Sequence, residues 1–246
     1  MPLLNKIDDF NIACQHAAYK VDFSSPLVVS LFETNIRILG GLLGAHTLLL
    51  QLKQKPEHSK KFSWYRNQLA LKAKSVADKM LPAFKTQTGI PRSHFSLKSQ
   101  SHGEKNIRSD QRGHTCTACA GTLLLEFASL SYYTNNSYYE EVAEKALDAI
   151  WKKKNLGSNL VGEVINVDTG AWTRQTASIG AGIDSYYEYL LKAGFMLNSG
   201  TWKHRFQTHY YAIERYIFDK TPIPSQVYRT YVKNMNMEKK FCEIPY

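Results

Sequence analysis

The chain has 246 residues, 43% of them hydrophobic, which places it in the globular range with enough material for one large domain or two small ones around a sizeable core. Its 31 Lys and Arg outnumber 21 Asp and Glu, for a formal charge of +10, which by itself would suggest nucleic acid or an anionic membrane surface. The placement of that charge argues instead for a solvated surface: Lys53, Lys55, Lys60, Lys61, Arg66, Lys72 and Lys74 scatter along a loop and one helix face, and Lys152 to Lys154 closes another helix at the negative end of its dipole.

In chain order, Lys6, Asp8 and Asp9 interrupt the stretch where a secretory signal would need unbroken apolar residues, so none is visible. Helix-like spacing of apolar residues then predicts segments near 27 to 52, 63 to 82, 117 to 134, 138 to 154, 180 to 196 and 201 to 218. Within the first, Ile38 to Leu50 is too short to cross a bilayer and carries His46, so Gly40 and Gly44 are not a membrane dimer motif and no membrane span is expected. Residues 85 to 115, rich in Ser, Lys, Arg and His, read as a long loop. Cys116-Thr-Ala-Cys119 behind His114 is either a zinc or redox half-motif, with no second ligand pair at suitable spacing, or a packed helix start whose cysteines pair in an oxidising compartment. Alternation over 159 to 174, with the turn signal Asp168-Thr-Gly170, predicts one β-hairpin, and Asn135-Asn-Ser137 is a glycosylation acceptor by pattern.

The six segments fall into three pairs. The first member is apolar over most of its circumference (Val28, Leu31, Phe32, Ile36, Leu39 and Leu42; Leu123, Leu124, Leu125, Phe127 and Leu130). The second has one stripe, as in Val142, Ala146, Ile150 and Trp151. A helix apolar all round must be covered on most sides and a one-striped helix covers it, so the alternation predicts an all-α toroid of inner and outer helices.

Each inner segment holds a carboxylate in its apolar run: Glu33, Glu126 and Asp184. Such acids are either neutralised locally, as Glu33 is by Arg37 one turn away, or face a shared polar hollow where altered protonation is useful. Glycine in a helix costs on the order of 1 kcal/mol against alanine, so Gly40, Gly41 and Gly44 imply close approach of a backbone or a ligand. Gly180-Ala-Gly182 leaves similar bare backbone before Asp184, and Tyr186, Tyr187 and Tyr189 are candidates either for sugar contact or for the core. Glycoside hydrolysis needs two carboxylates about the scissile bond, and no phosphate loop, serine elbow or HExxH helix is present.

The run Leu31-Phe-Glu-Thr-Asn-Ile-Arg37-Ile-Leu-Gly-Gly-Leu-Leu43 and the run Gly180-Ala-Gly-Ile-Asp-Ser-Tyr-Tyr-Glu-Tyr-Leu-Leu191 closely resemble signatures of class I α-1,2-mannosidases, glycoside hydrolase family 47. Cys116-Thr-Ala-Cys-Ala-Gly-Thr-Leu-Leu-Leu-Glu-Phe127 and Leu160 to Gly170 are most similar to its ER degradation-enhancing branch. The resemblance runs over roughly 20 to 218, leaves 219 to 246 unmatched, and implies one partial catalytic domain over 1–246, an arc of about three hairpins of an (α/α)7 barrel. It implies an inverting enzyme that trims mannose from N-linked high-mannose glycans of misfolded glycoproteins in the endoplasmic reticulum lumen, with an ER oxidoreductase as a candidate partner. Glu33 matches the proton donor, Asp184 the second essential acid, and Arg37 and Glu126 positions lining the sugar. Calcium is the implied cofactor, with its protein ligand expected in a C-terminal half that this chain does not carry. The family's opening helical pair and later acidic helices find no match, so the chain alone is expected to release no mannose, and the family's outer-sugar loop departs at Gly89-Ile-Pro-Arg-Ser-His-Phe-Ser-Leu97, where different outer sugar contacts are expected. A glycan-binding module without turnover and a plain helical scaffold remain the alternatives.

Overall fold

The computed structural model describes residues 6–98 and 113–218, together with the backbone of strand Tyr231–Val232. It opens with helix α1 (Ile7–Tyr19), which buries Phe10, Cys14 and Ala18 and packs against the helix Gln68–Met80. This helix is absent from the predicted elements. Its apolar stripe is one residue wide at four-residue spacing, and two aspartates in the first turn obscure it.

The first inner element starts where strand β1 (Val28–Ser30) meets β2 (His94–Ser96) in antiparallel register, Ser30 opposite His94. Ser30 then caps the helix start, its Oγ accepting from the Glu33 amide at 3.3 Å. The helix runs as α2 (Leu31–Glu33), a π-helical stretch over Thr34–Leu39, and α3 (Gly40–Gln54), and Pro56 in α4 (Pro56–Ser59) prevents its continuation. Its outer cover is α5 (Gln68–Met80), whose Leu69, Ala73, Val76, Ala77 and Met80 form the apolar stripe.

The second pair is α6 (Thr117–Gly121) and α7 (Leu124–Thr134) inside with α8 (Tyr138–Lys152) outside. The buried stripe of α8 is Tyr139, Ala143, Ala146, Leu147 and Ile150. It lies to one side of the predicted one, which included Val142 and Trp151. The third pair is α9 (Asp184–Met196) and α10 (Gly200–Tyr216), joined through Asn198 at φ +48°. Inner helices α3, α7 and α9 lie side by side in that order, and α5, α8 and α10 each back their own partner. The result is the all-α arc of three hairpins expected for part of an (α/α)7 barrel, extended by α1.

The predicted hairpin exists as β4 (Val164–Asn166) and β5 (Trp172–Arg174), but β3 (His114–Cys116) joins it as a third strand. The sheet needs Gly162: a Cβ there would lie 2.7 Å from the Trp172 ring and 2.8 Å from the Arg174 carbonyl. Strand β6 (Ala177–Ser178), paired with β7 (Tyr231–Val232), precedes α9. The predicted loop 85–115 is thus anchored by strands at both sides, with residues 99–112 outside the described part.

Candidate active site

The strands lead into the N-terminal ends of the inner helices, and side chains tie those ends together. Asn35, fully buried, donates from Nδ2 to the Thr122 carbonyl at 3.0 Å and to Glu126 Oε2 at 2.7 Å. The Tyr189 hydroxyl donates to the other oxygen, Glu126 Oε1, at 2.8 Å, and the hydroxyls of Thr122 and Ser185 share a hydrogen bond of 2.7 Å. Ala118 N–H donates to the Gly182 carbonyl at 2.8 Å. One junction therefore contains residues from all three inner elements.

The candidate acids border it. Glu33 is two residues before Asn35 and Asp184 is one before Ser185, and Glu33, Glu126 and Asp184 each occupy the first turn of their helix, where the dipole favours negative charge. Their surroundings differ. Glu33 is exposed and its Oε2 accepts from Arg37 Nε, the local pairing that the sequence left open, with both side chains in water. Exposed pairs of this kind contribute about 0–1 kcal/mol, so the pairing adds little to stability. Asp184 is also exposed, its Oδ1 accepting from the Ser185 amide. Glu126 is drawn into the protein: burial pushes its carboxyl above the ordinary carboxylate range, while the bonds from Tyr189 and Asn35 pull in the other direction.

The glycines divide by role. At Gly40 a Cβ would come 3.4 Å from Glu126 Oε1, whereas at Gly41 and Gly44 it would meet nothing within 4 Å, so only the first reflects close packing. Gly182 adopts φ +93°, and a Cβ there would press on Glu163 at 3.0 Å. Glu163 accepts from Arg174 at 2.6 Å and, with the Thr117 amide bonded to its carbonyl, places a fourth carboxylate beside the start of α9. The tyrosines divide as well: Tyr186 and Tyr187 are buried in the core, which removes them as sugar contacts, and Tyr189 serves Glu126. Asn35, Glu163 and the Thr122–Ser185 pair join the site without being sequence-predicted site residues. Asn35 carried the same signal as the acids, a polar group inside an apolar run.

Cys116 and Cys119 form a disulfide across the start of α6, which removes the thiolates a zinc half-site would need. Cys14 is a free buried thiol pushed up to about 11 by desolvation, and Cys242 lies outside the described residues. Among the described residues no group of three or more His, Cys, Asp or Glu stands where it could hold a metal ion. No helix among them is long and apolar enough to cross a membrane.

The family model for glycosyl hydrolase family 47 matches residues 1–243, past both limits of the stretch in which motifs are visible. The chain belongs to glycosyl hydrolase family 47. This family-47 chain is 48% identical over 215 residues to "ER degradation-enhancing alpha-mannosidase-like protein 3" of Homo sapiens, covering 87% of itself and 23% of that relative. It is 35% identical over 226 residues to human "Mannosyl-oligosaccharide 1,2-alpha-mannosidase IB", covering 89% of itself and 32% of that protein. The fold matches an alpha-1,2-mannosidase from Trichoderma reesei with TM-score 0.70 at 24% identity, over 87% of this chain and 44% of that one. The chain thus spans between about a quarter and a third of the length of these two curated relatives.

Proposed function

We propose that residues 1–246 are one partial catalytic domain of an inverting α-1,2-mannosidase that trims N-linked high-mannose glycans on misfolded glycoproteins in the endoplasmic reticulum. The observation that carries this reading is the hydrogen-bonded junction of Asn35, Thr122, Glu126, Ser185 and Tyr189, which gathers three helix starts that each bear an acid. In inversion one carboxylic acid protonates the departing oxygen and another carboxylate activates water on the opposite face. Glu33, reachable from solvent, is assigned the proton donation. Asp184 is assigned the second acidic role, while Arg37 and Glu126 hold sugar hydroxyls. Calcium, when bound in a family member, would orient sugar hydroxyls. The Cys116–Cys119 disulfide suits an oxidising lumen and makes a thiol oxidoreductase a candidate partner.

Mannose release is expected when the remaining barrel segments of a family-47 relative are joined to this chain, and not from the 246 residues alone. In that completed barrel, Glu33→Gln should lower kcat on a fluorescent high-mannose glycan by about 10²-fold or more, the scale of a lost general acid, with thermal stability changed by under about 1 kcal/mol. An unchanged rate in Glu33→Gln sinks the assignment. The second reading, a binding module, draws on the Glu33–Arg37 pairing, and it predicts glycan binding without turnover even in the completed barrel.

A further inference from the structure

The π-helical stretch Thr34–Leu39 lies between the proposed acid and the glycines of α3. Its extra residue per turn is seen at Gly40, whose amide donates to the carbonyls of Asn35 and Arg37. Such insertions are frequent at functional sites because they re-aim a side chain without ending the helix. Here the side chain is Asn35, and its orientation is determined. Nδ2 faces two acceptors, the Thr122 carbonyl and Glu126 Oε2, and reversing the amide would set Oδ1 against both. The cost is visible: Asn35 Oδ1 is buried with no partner, which is the consequence of turning both amide donors toward Thr122 and Glu126.

We propose that Asn35 is the positioning residue of this site, its carboxamide spanning from the acid-bearing turn of the first inner helix to the second and fixing where the Glu126 carboxylate stands. The proposal rests on the sugar-site reading above and deepens it. Two links transmit the position. Through Glu126 Oε1 the tie reaches Tyr189 on α9, and through Thr122 it reaches Ser185, the neighbour of Asp184. Gly40 leaves room for this, since the nearest atom to any added Cβ is Glu126 Oε1 itself. The charged neighbour acting on Glu126 is Lys192, itself bonded to Glu188. Asn35 therefore holds Glu126 directly and ties together the helix starts that bear Glu33 and Asp184.

The test is nuclear magnetic resonance on the 246-residue chain labelled with ¹³C at glutamate carboxyls and ¹⁵N at asparagine, with Glu126→Gln assigning the Glu126 signal. In the wild type the Asn35 amide protons should shift with pH at the same midpoint as Glu126, and that dependence should vanish in Glu126→Gln. Asn35→Ala, which removes a donor to the carboxylate, should move the Glu126 midpoint upward. Asn35→Asp, which sets a second carboxylate against it, should move it further upward. If the variants lower the melting temperature but leave the Glu126 midpoint in place, Asn35 is only packing and the proposal is overturned. If neither variant folds, the wild-type comparison decides, and unlinked midpoints overturn it equally. Adding methyl α-D-mannopyranoside is a separate arm: no shift at Glu126, Arg37 or Asp184 counts against the sugar-site reading, whereas the Asn35–Glu126 linkage stands or fails on its own titration.

Discussion

His209 illustrates how single residues carry the stability of this chain. It is fully buried, with Nδ1 2.7 Å from the Asn159 carbonyl and Nε2 3.0 Å from the Tyr186 hydroxyl. A carbonyl only accepts, so Nδ1 holds the proton and Nε2 accepts from tyrosine, which is the neutral imidazole. Burial pushes His209 down from 6.5 to about 4, so the unfolded chain binds a proton that the folded chain refuses. Stability should therefore be full above pH 6.5 and fall between 6.5 and 4, at up to about 1.4 kcal/mol per pH unit. Melting temperatures from pH 7.5 to 4.5 test this, and His209→Gln should remove part of the slope while leaving the share of His46 and His94, which burial shifts in the same direction. An identical slope in both chains would show that His209 titrates alike folded and unfolded. The lysines behave unlike a solvated surface: Lys53 and Lys79 donate to the carbonyls of Tyr65 and Phe23, and Lys72 to that of Val21. Part of the basic excess thus fastens the connection between α1 and β1.

Short elements at the helix starts matter more than their length suggests. Helix α6 is five residues long, too short to hold itself, and is pinned from outside by Thr117 N–H to the Glu163 carbonyl, Thr117 Oγ1 to the Gly162 carbonyl, and the Cys116–Cys119 bridge. The bridge closes a very small loop, so replacing both cysteines by alanine should cost only about 2 kcal/mol by loop entropy. Denaturant titration of the double variant checks that figure. A much larger loss would mean that the bridge, not the backbone ties, places the start of α6. Helix periodicity made the six long elements visible because burial on one or all faces leaves a repeating apolar pattern. The same logic failed for α1, whose stripe is narrow, and slid by one position on α8, where Tyr139 and Ala143 turn inward and Trp151 packs at the rim against His209.

Across the whole molecule the arc has two ends, and both expose apolar surface. At one, a cavity of about 330 Å³ between α1 and the first inner helix is lined by Phe10, Phe23, Ile38, Leu42 and Leu69, with Ile38 37% exposed. At the other, Phe195 is 69% and Tyr211 58% exposed on the α9–α10 pair. Apolar surface of this kind promotes association. The 246-residue chain should therefore sediment with a concentration-dependent average mass, and Ile38→Lys with Phe195→Lys should reduce it, whereas a constant monomer mass would contradict this. The inner and outer helices and the family were legible from the order of residues, because periodicity and motif are local properties. Which tyrosines face the core and which serves Glu126, the π-helical turn, and the choice of Asn35 as the tie were decided only by the tertiary structure. The Asn35 tie depends on hydrogen bonds between groups separated by 87 and 91 positions and the Tyr189 bond to Glu126 on one across 63, and a local pattern records that a face must be covered without recording what covers it.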